Sequence, residues 1–202
     1  MKNLKFLLLL SFFTVFFTCL CYSWTITKEL KADQEEKQWL VKVHPNDPQA
    51  HFELAITYAY TNKIEEGLNE LKVVDKLDSK FAPKALKIYS VRVKMYPNDW
   101  KTRFRYAFTL YFNKKKQEAI KEFERVIKLD PKNVFAYGYI AIIYGELDEV
   151  SEAIDYCKEA IAIDSNVAAL HLLLATGYYK KGQSGLGVQE TFEALRLRAL
   201  GY

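Results

Sequence analysis

The sequence predicts an all-α protein, a solenoid of stacked helix pairs preceded by one N-terminal hydrophobic helix. Two observations carry this expectation. Apolar residues of matched size recur at intervals of 34 positions, as in Ala107, Ala141 and Ala175, or Leu110, Tyr144 and Tyr178. A fixed period of this length marks a repeat architecture. Within each interval the apolar residues fall three and four apart, as in Ile120, Phe123, Val126 and Ile127, which is the helical period. A third observation excludes alternatives. Eight glycines and five prolines in 202 residues are too few for a turn-rich sandwich or barrel. The 27% charged fraction is that of a soluble domain, neither a disordered chain nor a polytopic membrane protein.

The chain opens with Lys2 and Lys5, then carries no charge from Phe6 to Thr27, with its most apolar stretch ending near Cys21. Residues 1–24 therefore read as a signal peptide or a single-pass membrane anchor, since the run is long enough to span a bilayer. A lipid anchor through Cys19 or Cys21 fits less well, because bulky residues precede each cysteine. Residues 25–47 form a connecting helix, with Trp39, Leu40 and Val41 as its apolar part.

The solenoid occupies residues 48–201, in units 48–81, 100–133, 134–167 and 168–201. Asp47-Pro48, Asp130-Pro131 and Asp164-Ser165 punctuate the units. An aspartate caps free N–H groups at a helix start, and proline is tolerated in the first turn. Asn113-Lys114, Glu146-Leu147-Asp148 and Lys181-Gly182-Gln183 are the short turns between partner helices. An extra helix at 82–99 interrupts the alternation. Its Ala85, Leu86, Tyr89 and Pro97 lie 34 positions before Ala119, Ile120, Phe123 and Pro131, so it repeats the second half of a unit. An enlarged bend near residues 80–100 is the expected consequence.

No catalytic constellation is present. The chain has no phosphate-binding glycine loop, no dinucleotide fingerprint and no nucleophile elbow. Cys157 stands alone outside the N-terminal segment, and no Cys/His spacing suits zinc. His51 and His171 occupy equivalent places in their units and read as packing or capping residues, while His44 lies in a turn. No enzyme activity, metal or cofactor is expected.

The pattern of small and large positions resembles the tetratricopeptide repeat, a helix–turn–helix unit. The earliest unit carries Ala55, Tyr58, Gly67, Leu71 and Val74 in the matching places. The signature tryptophan of the first helix is replaced by His51, Arg103, Tyr137 and His171. The resemblance implies a right-handed superhelix with the first helix of each unit lining a concave groove. Carried over, the groove residues are Phe52, Ile56 and Tyr60, then Lys101, Phe104, Arg105, Phe108, Tyr111 and Phe112. The third unit adds Phe135, Tyr139 and Ile142, and the fourth Leu172, Thr176 and Tyr179. Lys101 and Arg105 match two members of the family's carboxylate clamp, but Phe52, Ile56, Phe104 and Phe108 stand where its asparagines would be. An extended apolar peptide or an amphipathic helix therefore fits better than a chaperone tail.

Aromatic residues and arginine together are the composition of protein-binding hot spots. The expected function is that of a protein–protein interaction scaffold or assembly factor, anchored at a membrane through residues 6–24 or placed in a bacterial cell envelope. A soluble exported adaptor and an accessory subunit of an enzyme complex are the alternatives. A homo-oligomer is compatible with the sequence. Nucleic acid is disfavoured by export. The modest net charge of +4 hides a division. Residues 80–132 hold fifteen basic and five acidic side chains, and residues 133–170 hold one basic and seven acidic. The basic band is either a solvated face or a surface that steers an acidic partner or anionic headgroups.

Overall fold

The computed structural model describes residues 26–201. The regular elements among the described residues are all helices: α1 Lys28–Val43, α2 Pro48–Ala59, α3 Ile64–Leu77, α4 Phe81–Met95, α5 Trp100–Phe112, α6 Lys116–Leu129, α7 Val134–Glu146, α8 Val150–Ile163, α9 Ala168–Lys180 and α10 Ser184–Ala199. The expected N-terminal hydrophobic helix and the signal or anchor segment 1–24 lie outside the described residues. Among the described residues no helix is long and apolar enough to cross a membrane.

Local chemistry sets the helix starts. Thr27 Oγ1 accepts from the Leu30 N–H at 3.2 Å, and Asp47 accepts from the Gln49 N–H at 2.9 Å with Pro48 in the first turn. Asp99 takes the N–H groups of Lys101 and Thr102 at 3.3 and 3.0 Å, and Asn133 takes that of Ala136 at 3.2 Å. Each cap satisfies donors that have no partner within their own helix. The turns inside the pairs share one backbone device. Asn62, Lys114, Asp148 and Gly182 all sit at positive φ, between 59° and 71°. Only the last is glycine, so Lys114 and Asp148 hold a conformation that costs a residue with a Cβ about 1 kcal/mol.

Small residues let partner helices meet. Ala119 is fully buried between α5 and α6. At the equivalent place Gly67 lies so near α2 that a Cβ would stand 3.0 Å from the Ala55 carbonyl oxygen. The pairs α2–α3, α5–α6, α7–α8 and α9–α10 are the tightest contacts in the fold, and successive pairs pack through α6 on α7 and α8 on α9. One continuous core runs from Phe52 to Leu170, with a smaller cluster of Ala141, Ile154, Cys157, Leu174 and Tyr178 beyond it.

The helix α4 packs on α5 as α6 packs on α7. Its Ala85 and Tyr89 are fully buried, like Ala119 and Phe123. Its effect on direction is larger than a bend. Each short turn reverses the chain, so one additional helix inverts the polarity of everything before it. The helices α5, α7 and α9 run parallel. Tyr111, at the end of α5, donates to Glu146 at the end of α7 over 2.6 Å, and Lys180, at the end of α9, donates to the Gly145 carbonyl over 2.8 Å. By contrast α2 lies antiparallel to α5. Phe52, early in α2, meets Phe108 and Phe112 late in α5, with ring centroids 6.3 and 6.1 Å apart. Tyr60, just past the end of α2, meets Trp100 and Phe104 at the start of α5, at 5.4 and 5.3 Å.

Candidate protein-interaction groove

The expected groove residues divide into two groups. Phe52, Ile56, Tyr60, Phe104, Arg105, Phe108 and Phe135 are buried. Lys101, Tyr111, Tyr139, Ile142 and Leu172 are partly buried, and Phe112, Thr176 and Tyr179 are exposed. The sequence expectation of a ring-lined open surface along α2 and α5 is thus corrected. The inverted α2 lies directly on α5, and its rings interlock with those of α5 in edge-on contacts. Helix α3 extends this cover. Ile64, Leu68 and Leu71 close over Phe108 and Tyr139, leaving a pocket of about 30 Å³, barely room for one water molecule.

The two cations that match members of the family's carboxylate clamp are held by carboxylates of this chain. Lys101 Nζ lies 2.9 Å from Glu29 and 3.9 Å from Asp33, both on α1. Arg105 donates to the Tyr60 hydroxyl at 2.7 Å and reaches Asp33 at 3.5 Å, while the Tyr60 hydroxyl donates to Asp33 at 2.6 Å. Burial opposes the Arg105 charge, but Tyr60, Tyr89, Asp33 and Glu53 around it leave the guanidinium more firmly protonated than usual. Burial and the neighbouring Asp33 push the Tyr60 phenol well above its ordinary value, against the pull of Arg105. This cluster ties α1, α2 and α5 together and fixes the inverted hairpin in place.

A second cluster does the same for α4. Glu53 accepts from Arg92 at 2.7 Å and from Gln49 at 2.8 Å, and the Tyr89 hydroxyl donates to it at 3.2 Å. Burial alone would raise the Glu53 carboxyl, but the hydrogen bonds from Arg92 and Gln49 and the charge of Arg105 hold it below the usual range.

What remains open lies on α7 and α9, where Ile142, Leu172, Thr176 and Tyr179 reach solvent. At the ends of α5 and α7 lies an open depression of about 590 Å³ lined by Tyr111, Phe112, Lys114, Lys116 and Glu146. There Lys116 pairs with Glu146 at 3.0 Å. Burial, followed by the hydrogen bond and charge of Glu146, raises the Tyr111 phenol. Lys114 and Lys116 belong to the basic band that the sequence shows between residues 80 and 132, whereas Glu146 reads there only as part of a turn.

The described residues contain no group of histidine, cysteine and carboxylate side chains able to hold a metal ion. Cys157 is buried and its thiol is pushed up to about 12 by desolvation and the Glu190 charge, so it lacks the thiolate character of a nucleophile.

Residues 101–133 and 136–167 match the tetratricopeptide repeat family model. These are the α5–α6 and α7–α8 pairs, the stretch in which first helices run parallel. No curated protein sequence matches the chain. Among solved structures, the chain is similar to "MamA MSR-1 C2" at 16% identity and a TM-score of 0.50, over 87% of this chain and 100% of that one. It is also similar to "Crystal structure of MamA" at 19% identity and a TM-score of 0.49, over 85% and 90%. A third is "MamA 41-end from Desulfovibrio magneticus RS-1", at 15% identity and a TM-score of 0.49, over 87% and 98%. At these identities the likeness is one of fold.

Proposed function

We propose that this protein is an interaction scaffold or assembly factor, held at a membrane or in a cell envelope, that binds an extended peptide or amphipathic helix along α7 and α9. The observation that supports this most is the unequal cover of the concave side. Over α5 the chain seals its own rings with α2 and α3, whereas Ile142, Leu172, Thr176 and Tyr179 reach solvent on two parallel helices. Parallel first helices present side chains at regular spacing, which suits a partner read at successive turns. The uncharged run from Phe6 to Thr27 supports attachment or export. A soluble adaptor released by cleavage of that segment is the alternative, and the intact mass of the purified protein separates the two.

The binding reading is tested by placing a photo-crosslinking residue at Thr176, or at Lys121 on α6 as a control, in the full chain in its native membrane. Capture of one defined partner from Thr176 and not from Lys121 is expected. Equal capture from both positions, or none from Thr176, would refute the groove. Truncating Phe108 is no test of binding, because that ring is core.

A further inference from the structure

Three helix pairs are fastened by the same three-point arrangement, built from different side chains. In α2–α3, the His51 ring meets the Pro45 carbonyl oxygen through Nε2 at 2.9 Å and the Glu70 carboxylate through Nδ1 at 2.6 Å. In α9–α10, His171 meets the Ser165 carbonyl at 3.0 Å and Glu190 at 2.6 Å. In α5–α6, Arg103 donates through Nε to the Pro97 carbonyl at 2.8 Å and through Nη1 to Glu122 at 2.7 Å. Each ring or guanidinium reaches a carbonyl six residues earlier and a carboxylate nineteen residues later. The α7–α8 pair has Tyr137 against Tyr156 at the same offset, with ring centroids 6.3 Å apart and no proton in the contact.

The difference between histidine and arginine is one of proton count. A carbonyl and a carboxylate both accept, and a neutral imidazole has a single N–H to give. Making both contacts at once requires one further proton, on the second ring nitrogen or on the carboxylate. Arginine keeps its donors at every accessible pH. We infer that His51–Glu70 and His171–Glu190 are proton-dependent latches on the first and last helix pairs, and that Arg103–Glu122 is their pH-independent counterpart.

Among the described residues no hydrogen bond brings another side-chain donor to the Glu70 or Glu190 carboxylate. From α3 the ionisable group against His51 is Glu70, and the Pro45 carbonyl of the α1–α2 turn is uncharged. From α10 Glu190 bonds His171 and Glu193 feels its charge, while Cys157 on α8 lies within reach of the Glu190 charge. His51 and His171 are 6% and 5% exposed, so a ring nitrogen that loses its proton faces a carbonyl or carboxylate oxygen with little water to replace the bond. The sign follows. Each latch is complete while the extra proton is bound and loses one contact as rising pH removes it. The first and last pairs then loosen while α5–α6 holds.

Hydrogen exchange of the full chain, read by mass spectrometry as protection factors corrected for chemical exchange, tests this between about pH 6 and about pH 8.5. Amides of α3 and α10 are expected to lose roughly tenfold in protection relative to α6 as pH rises. His51→Arg and His171→Arg, which import the residue α5 already uses, each remove the loss in α3 or in α10 alone. Protection in α3 and α10 that tracks α6 at both pH values, or a loss that persists in the arginine variants, overturns the inference. Should the variants fail to fold, side-chain NMR of the wild-type chain decides. One proton beyond a neutral ring and an ionised glutamate is expected in each pair at about pH 6, and a neutral ring beside an ionised glutamate there overturns it.

Discussion

The first helices α5 and α9 use similar side chains to opposite effect. Phe104 and Phe108 on α5 are buried, while Leu172 and Tyr179 on α9 reach solvent. Both sets occupy first-helix positions of a repeating unit. The difference lies in what precedes them. Ahead of α5 the chain inserts α4, which inverts α2 and lays it across α5, with α3 closing over Phe108 and Tyr139. Ahead of α9 the alternation is regular; the Tyr179 ring rests on Gly187 of its own partner helix α10, 3.3 Å from the Thr191 hydroxyl, and still keeps 46% of its surface exposed. Ring composition alone therefore does not mark a binding surface; the direction of the neighbouring helices decides whether rings become core.

The comparison breaks most sharply under truncation. Phe104→Ala is expected to destabilise the chain by about 3–5 kcal/mol, since it empties a fully enclosed ring site. Leu172→Ala and Tyr179→Ala are expected to cost under about 1 kcal/mol each, because those side chains keep solvent contact. Denaturant midpoints at constant slope measure both, and comparable losses at the two ends would erase the distinction.

Next in size is the cluster that fixes the inverted hairpin. Arg105→Ala leaves Asp33 without its buried cation and removes the guanidinium donor from the Tyr60 hydroxyl, and is expected to cost about 3 kcal/mol. Arg196→Ala, which removes a partner of Glu193 on the exposed side of α10, is expected to cost under about 1 kcal/mol.

A smaller effect separates the regions by pH. Glu53 is held below the ordinary carboxyl range, so its contribution is present above that range and is lost as pH falls through it. Acid should therefore weaken the α2–α4 contact, and Glu53→Gln should flatten that part of the acid limb in thermal melts. A limb unchanged by the substitution would remove Glu53 from the account. The smallest effect is local. Lys114→Gly relieves a positive-φ residue in the α5–α6 turn and is expected to stabilise by about 0.5–1 kcal/mol, read as a rise in Tm.

Much of the architecture was legible because it is written locally. The 34-residue recurrence of Ala107, Ala141 and Ala175 records where helices meet, and Asp47 and Asp99 announce helix starts that their side chains do cap. Even the second-helix character of α4 shows in Ala85 and Tyr89. Polarity does not show, because a helical period is the same read upward or downward. Hence Phe52, Tyr60, Phe104 and Phe108 could be placed on a helix face but not assigned to core or groove. The capture of Lys101 and Arg105 by Glu29 and Asp33 was hidden for a related reason: it joins residues 72 positions apart through a hairpin of inverted sense. The three-point fastening of His51, Arg103 and His171 had a visible trace, since all three stand where the signature tryptophan is missing. Its carboxylate partners nineteen residues on went unread.

Hydroxyl-radical footprinting of the full chain addresses the contrast between α5 and α9 most directly, because it reads side-chain exposure in solution without a known partner. Strong modification is expected at Phe112, Leu172 and Tyr179, with Tyr60, Phe104 and Phe108 protected until the chain unfolds. Modification of Phe104 and Phe108 at rates similar to Phe112 in the folded protein would contradict the account, for it would mean that α2 and α3 do not cover α5.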